Sequence, residues 1–231
     1  MNFSARLPLL LAISLLLSAC AGHDARHGTD ATLERAARAT AVLDEVMRAP
    51  DHEMPQDMLQ NAFAVAVLPR VINGGVVVAG RHGRGLIAVK RDGQWSNPSF
   101  VRLAGGSVGV QAGVSSTDLI LIFRSERGVN SIVDGKFLLG TDLAVAAGPV
   151  GRNAQASTDA QLKAEIYAYS HSRGLFAGFA LQGVSLAIDA DANQAAYGTG
   201  VTAPDIFDGH VPMPPEAVGT FRERLARYTR P

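Results

Sequence analysis

From Ser99 to Arg124 the chain first alternates and then runs apolar, and the rest reads as cover for this stretch. Phe100, Arg102, Ala104, Gly106, Val108, Val110 and Ala112 share one face of a two-residue period. Val101, Leu103, Gly105, Ser107, Gly109, Gln111 and Gly113 share the other, which is the pattern of a β-strand. Leu119–Phe123 is apolar throughout, as in a strand covered on both faces. A polar turn is expected between the two, at Ser115–Thr117. So much glycine costs a strand backbone entropy, so the backbone bends there or is approached closely.

From Asp30 the spacing becomes helical. Leu33, Ala36, Ala37, Thr40, Leu43 and Met47 recur at three- and four-residue steps, with Asp30 as cap and Pro50 as stop. A short helix is predicted from Pro55 to Asn61. Ala62–Leu68 alternates bulky and thin residues as a strand ended by Pro69. Further strands turn at Asn73–Gly75, at Arg81–Arg84 and at Arg91–Gly93. Connections this short join antiparallel neighbours. Ser125 opens a helix to Val133, with Gly135 beyond its end. Strands are predicted over Lys136–Leu139, from about Glu165, and over Leu175–Leu181 and Val184–Ile188. Asp191–Tyr197 makes a helical turn closed by Gly198. Pro214–Pro215 opens a terminal helix with Val218, Phe221, Leu225 and Tyr228 on one face. The expected fold is α+β and β-rich: a curved antiparallel sheet or partial barrel covered by N- and C-terminal helices.

The N-terminus follows another logic. Arg6 precedes an apolar run, Leu7–Leu17, too short to cross a bilayer as a helix. Leu17–Ser18–Ala19–Cys20 resembles the lipobox of bacterial lipoproteins, where the signal is cut before the cysteine and its sulfur takes a diacylglycerol. Cys20 is the only cysteine in 231 residues, so no disulfide framework, thiolate metal site or cysteine nucleophile is expected. Acyl chains such as palmitate, at about 0.8 kcal/mol per buried CH₂, would hold the chain on a membrane. Ala21 in place of Asp favours the outer membrane, with the domain facing the periplasm. The chain then divides into a signal peptide at 1–19, a lipidated Cys20 and tether at 20–29, and a single domain at 30–231.

Formal net charge is zero, which removes the global basicity that nucleic-acid binding uses. Locally the signs separate. Asp24–Asp57 carries eight acidic and four basic residues, whereas Arg70–Arg102 carries six basic residues against Asp92. Such asymmetry signals either an interaction surface or a solvated face paired with the acidic helix.

The catalytic motifs are weak. Gly105–Gly109 matches G-x-S-x-G, yet a nucleophile elbow needs strand, sharp turn and helix, and strand alternation continues past Ser107 to Gln111. Val133–Lys136 lacks the glycine spacing and hydroxyl of a phosphate loop. The histidines, at 23, 27, 52, 82, 171 and 210, have no metal-ligand spacing. Asp189–Asn193 begins like a calcium loop, but Ala195 and the absent terminal Glu favour a helix cap. No catalytic residue, metal or cofactor is expected.

GGSVGVQAGVSSTDLILIF, GKFLLGTDLAVAAGPVGR and SRGLFAGFALQGVSLAIDADANQAAYG, with AVAVLPRV and GRGLIAV upstream, closely resemble the SYLF domain over about Asp30–Gly198. The resemblance implies a lipid-binding module without catalytic residues: eukaryotic SYLF domains bind phosphoinositides, and fungal members bind and bundle actin. Eukaryotic members are described as using a basic amphipathic N-terminal helix on membranes, whereas the Leu33–Met47 helix leans acidic. The candidate head-group site therefore moves to Arg70, Arg81, Arg84, Lys90 and Arg91, since Lys and Arg near an anionic surface contribute about 1 kcal/mol each. The expected function is a non-enzymatic, membrane-anchored module for anionic phospholipid or phosphoinositide head groups. The alternative is a structural or adhesion lipoprotein with a protein partner; actin, the partner of eukaryotic relatives, does not suit a bacterial envelope. A hydrolase using Ser107 is the third reading.

Overall fold

The computed structural model describes residues 28–48, 54–75, 78–108, 113–135, 137–148, 164–173 and 183–230. The expected signal peptide, Cys20 and the strand over Leu175–Leu181 lie outside the described residues. The strands are β1 (Ala64–Gly75), β2 (Val78–Arg91), β3 (Gln94–Trp95), β4 (Ser99–Val108), β5 (Gly113–Phe123), β6 (Leu138–Leu139), β7 (Val145–Ala147), β8 (Ile166–Arg173) and β9 (Val184–Ile188). They form one curved, nearly closed sheet in the order β6-β9-β4-β2-β1-β5-β8-β7, with β3 on β2. Among the described strand pairs only β7–β8 is parallel, and an isolated bridge between Leu139 and Leu143 is parallel as well. The α+β, β-rich expectation is met.

Alternation gives this sheet two cores. Val65, Val67, Leu86, Ala88, Phe100, Ile120 and Ile122 pack with α1 (28–48), α2 (Gln56–Gln60) and α6 (Glu216–Tyr228). Ala64, Ala66, Ile87, Val101, Leu119, Leu121 and Phe123 face the other way, toward α3 (Glu126–Val133) and α5 (Ala203–Phe207). Leu119–Phe123 is thus covered on both faces. The helical spacing of α1 has the same outcome: Ala36, Ala39 and Leu43 are fully buried against the sheet. Removal of these apolar stripes from water is what holds each layer down. On α6, Val218, Phe221 and Leu225 are likewise buried. The helix α4 (Ala190–Tyr197) is capped by Asp189, whose side chain accepts from the Ala192 N–H.

Several boundaries differ from the sequence reading. Ser115–Thr117 lies inside β5, Asn73–Gly75 inside β1 and Arg81–Arg84 inside β2. β4 and β5 are not a hairpin, because β2 and β1 stand between them. These polar stretches continue as strand because part of the sheet extends beyond the helices, where a face toward water tolerates polar residues. Nor does Pro69 end β1. It sits in a bulge where the register shifts between Leu68 and Val71, and the missing N–H is harmless there. The bulge puts Arg70 at φ 51°, with its N–H donating to the buried Asp118 carboxylate at 2.8 Å. Asp30 lies inside α1 rather than at its cap. The Asp92–Gly93 turn is as expected, both residues having positive φ.

Candidate functional site

Beyond Leu86, the α1-side positions of β2 emerge into water: Leu86 is buried, while Arg84, His82 and Gly80 are exposed. β4 does the same, from buried Phe100 to exposed Arg102, Ala104 and Gly106. The register sets Arg84 directly opposite Arg102 and His82 opposite Ala104. β1 contributes Ile72, opposite His82, and β5 contributes Val114, opposite Gly74. Ile72 and Val114 are 51% and 82% exposed. A four-stranded face beside α1 therefore carries two guanidinium groups side by side and two exposed apolar side chains farther out.

Electrostatics sharpen the picture. Side chains directly opposite across antiparallel strands are close neighbours, so two like charges there repel. Among the described residues, neither Arg84 nor Arg102 has a carboxylate partner. Arg35 on α1 adds a third guanidinium, 5.7 Å from the Phe100 ring centroid and 3.0 Å from the Asp189 carboxylate. Burial lowers the Arg35 pKa, Asp189 opposes that, and the charge of Arg84 lowers it again. Arg84 thus stands beside Arg102 and within electrostatic reach of Arg35. On the same side, α1 and the β1 bulge frame a small pocket lined by Arg38, Val42, Pro69, Arg70, Ser116 and Asp118.

The residues singled out from sequence are dispersed by the fold. Arg84 is on the exposed face, and Arg70 lines the neighbouring pocket. Arg81 points to the opposite side of β2, half-buried, and burial lowers its pKa. Lys90 lies at the covered end of β2, where its Nζ donates to the Gln60 carbonyl at 2.8 Å and sits over the Trp95 ring. Arg91 pairs with Asp208. Arg102 and Arg35 were not among the sequence candidates. Arg102 shares its period with Phe100, a signal that fixes its face but not its neighbour. Ser107 of the G-x-S-x-G match lies within strand β4 opposite Ala79, whereas an elbow seats its serine in a sharp turn. Among the described residues, no group of three His, Cys, Asp or Glu residues is placed to hold a metal ion. No described helix is long and apolar enough to cross a membrane.

Residues 104–228 match the family described as "Ysc84: Las17-binding protein actin regulator". Over 187 residues the chain is 37% identical to protein YSC84 of Saccharomyces cerevisiae, covering 78% of this chain and 40% of that protein. It is 36% identical over 182 residues to SH3 domain-containing YSC84-like protein 1 of Rattus norvegicus, covering 78% of this chain and 53% of that protein. With LAS seventeen-binding protein 3 of S. cerevisiae the identity is 35% over 176 residues, 74% of this chain and 38% of that protein. The chain thus spans about half or less of the curated relatives it matches.

Proposed function

The chain belongs to the Ysc84 (SYLF) family, and from that premise we propose that its domain is a non-enzymatic module that binds anionic phospholipid head groups, phosphoinositides among them. Cys20, once lipidated, holds it at the bacterial outer membrane, facing the periplasm. The observation that carries this reading is the exposed Arg84–Arg102 pair. Their repulsion becomes attraction once a phosphate is shared between them, because guanidinium groups bind phosphate through paired N–H donors. A second reading, a protein partner, is favoured by the names of relatives that bind Las17. On this chain such a partner would present acidic groups to the same arginines.

The test is binding to phosphatidylcholine vesicles with and without phosphatidylglycerol, cardiolipin or phosphoinositide, at low and physiological salt. The expected result is salt-sensitive binding to anionic vesicles alone. Arg84→Gln with Arg102→Gln is expected to weaken it about thirtyfold, from ~1 kcal/mol per arginine. Absence of binding to every anionic vesicle, with retention of one abundant envelope protein, would move the assignment to the protein partner.

A further inference from the structure

We infer that the end of this sheet that carries Ile72 and Val114 enters the bilayer: these two side chains reach the acyl layer while Arg84 and Arg102 stop at the phosphates. This rests on the anionic-lipid reading above and adds the membrane-facing element and its depth. The four residues share one sheet face by register, since Ile72 pairs with His82, Gly74 with both Gly80 and Val114, and Arg84 with Arg102.

Strand geometry sets the depth. Ile72 is level with His82, two residues or about 7 Å beyond Arg84 at ~3.3 Å per residue. Val114 is level with Gly74 and Gly80, four residues or about 13 Å beyond. The polar layer of one leaflet is only about 5–8 Å thick. Arginines seated at the phosphates therefore leave both apolar side chains at or below the start of the hydrocarbon. An acidic protein surface would match the arginines but not two aliphatic side chains standing 51% and 82% exposed beyond them.

The helix α1 does not compete for this role. Its apolar residues Ala36, Ala39 and Leu43 have no exposed area, and Arg35 ties it to Asp189. Insertion of that stripe would require α1 to leave the sheet. Its outward residues include Glu34 and Glu45 as well as Arg38 and Arg48, so it offers an anionic surface no net attraction.

The mature chain from Cys20 onward, unacylated, contains every described element and is the form to test. Trp95, 6% exposed within the core, supplies a buried background. With phosphatidylglycerol vesicles brominated on the acyl chains, Val114→Trp is expected to shift its emission to the blue and to be quenched, while Trp95 in the parent chain is not. Ile72→Ser with Val114→Ser is expected to lower vesicle affinity about tenfold or more. It should leave binding of inositol hexakisphosphate, a soluble phosphate probe, unchanged. Arg84→Gln with Arg102→Gln should weaken both. Unquenched Val114→Trp on vesicles that bind the parent chain, or undiminished affinity of the serine variant, overturns the insertion and leaves the lipid reading standing. If the parent chain binds no anionic vesicle, the lipid reading falls and the insertion falls with it.

Discussion

Asn193 Oδ1 accepts the backbone N–H of Phe100 at 2.7 Å, and this bond fastens α4 to β4 in the interior. The same carboxamide donates through Nδ2 to Ser99 Oγ at 2.9 Å. Asn193 is 1% exposed and Ser99 fully buried, so no water replaces a lost partner. Asn193→Ala is expected to cost about 3 kcal/mol by leaving the buried Phe100 N–H unpaired and the Ser99 hydroxyl with only a long 3.5 Å bond to the Phe100 carbonyl. A lower urea midpoint at unchanged slope measures it. A cost below about 1 kcal/mol would show that the site relaxes to admit water.

Arg35 and Asp189 link α1 to the start of α4 across 3.0 Å, and Asp189 also accepts from the Ala192 N–H. Removing one member of a buried pair strands the other, so Arg35→Met should cost about 3 kcal/mol. Arg35→Met combined with Asp189→Asn is expected to cost less than the sum of the single changes. Thermal melts of the four proteins decide this, and strict additivity would refute the coupling.

Gly85 explains part of the glycine density. A Cβ there would lie 2.0 Å from the Val67 carbonyl oxygen and 2.7 Å from Leu68 Cα, beside the β1 bulge. Both obstacles are backbone and cannot swing aside. Gly85→Ala is expected to destabilise by about 3 kcal/mol or more through overpacking, or to abolish soluble expression. Gly80→Ala meets nothing within 4 Å and should be neutral within about 0.5 kcal/mol. Circular dichroism melts of the pair provide the comparison.

Burial pushes the hydroxyls of Tyr169 and Tyr197 above the ordinary tyrosine range. For Tyr169 the nearby Tyr167 adds to this, and for Tyr197 Arg222 opposes it. The folded chain then keeps protons that the unfolded chain releases near pH 10. The stability tied to these groups is fully present below about pH 10 and is lost as pH rises toward the folded-state pKa values. Alkaline unfolding should coincide with tyrosinate absorbance. Tyrosinate appearing near pH 10 in both residues without unfolding would refute it.

Much of this fold is legible along the chain because it depends on local rules. The spacing of Leu33 to Met47 and of Val218 to Leu225 fixes a buried stripe on a helix wherever that helix packs. The unbroken apolarity of Leu119–Phe123 states that both faces are covered, and Asp189 and Asp92–Gly93 announce a cap and a turn through their own backbone chemistry. The five-residue helix α5 is not predicted from the sequence, although Thr202 and Asp205 form its capping box and Pro204 stands in its first turn; a single turn has too few positions to show a period.

The basic cluster marks the limit of that legibility. Sequence gathered Arg70, Arg81, Arg84, Lys90 and Arg91 into one region, yet the period of two sends Arg81 and Arg84 to opposite faces. Lys90 and Arg91 meet partners on α2 and beyond α5, at Gln60 and Asp208. Arg102 becomes the neighbour of Arg84 only through the register of β2 against β4. What the sequence by itself determined is which face each residue takes within its own element, because backbone geometry repeats locally. What only the tertiary structure decided is which charges share that face. Strand order and register are set by contacts between distant segments, and those contacts alone bring together behind Ile72 and Val114 two arginines that have no carboxylate partner among the described residues.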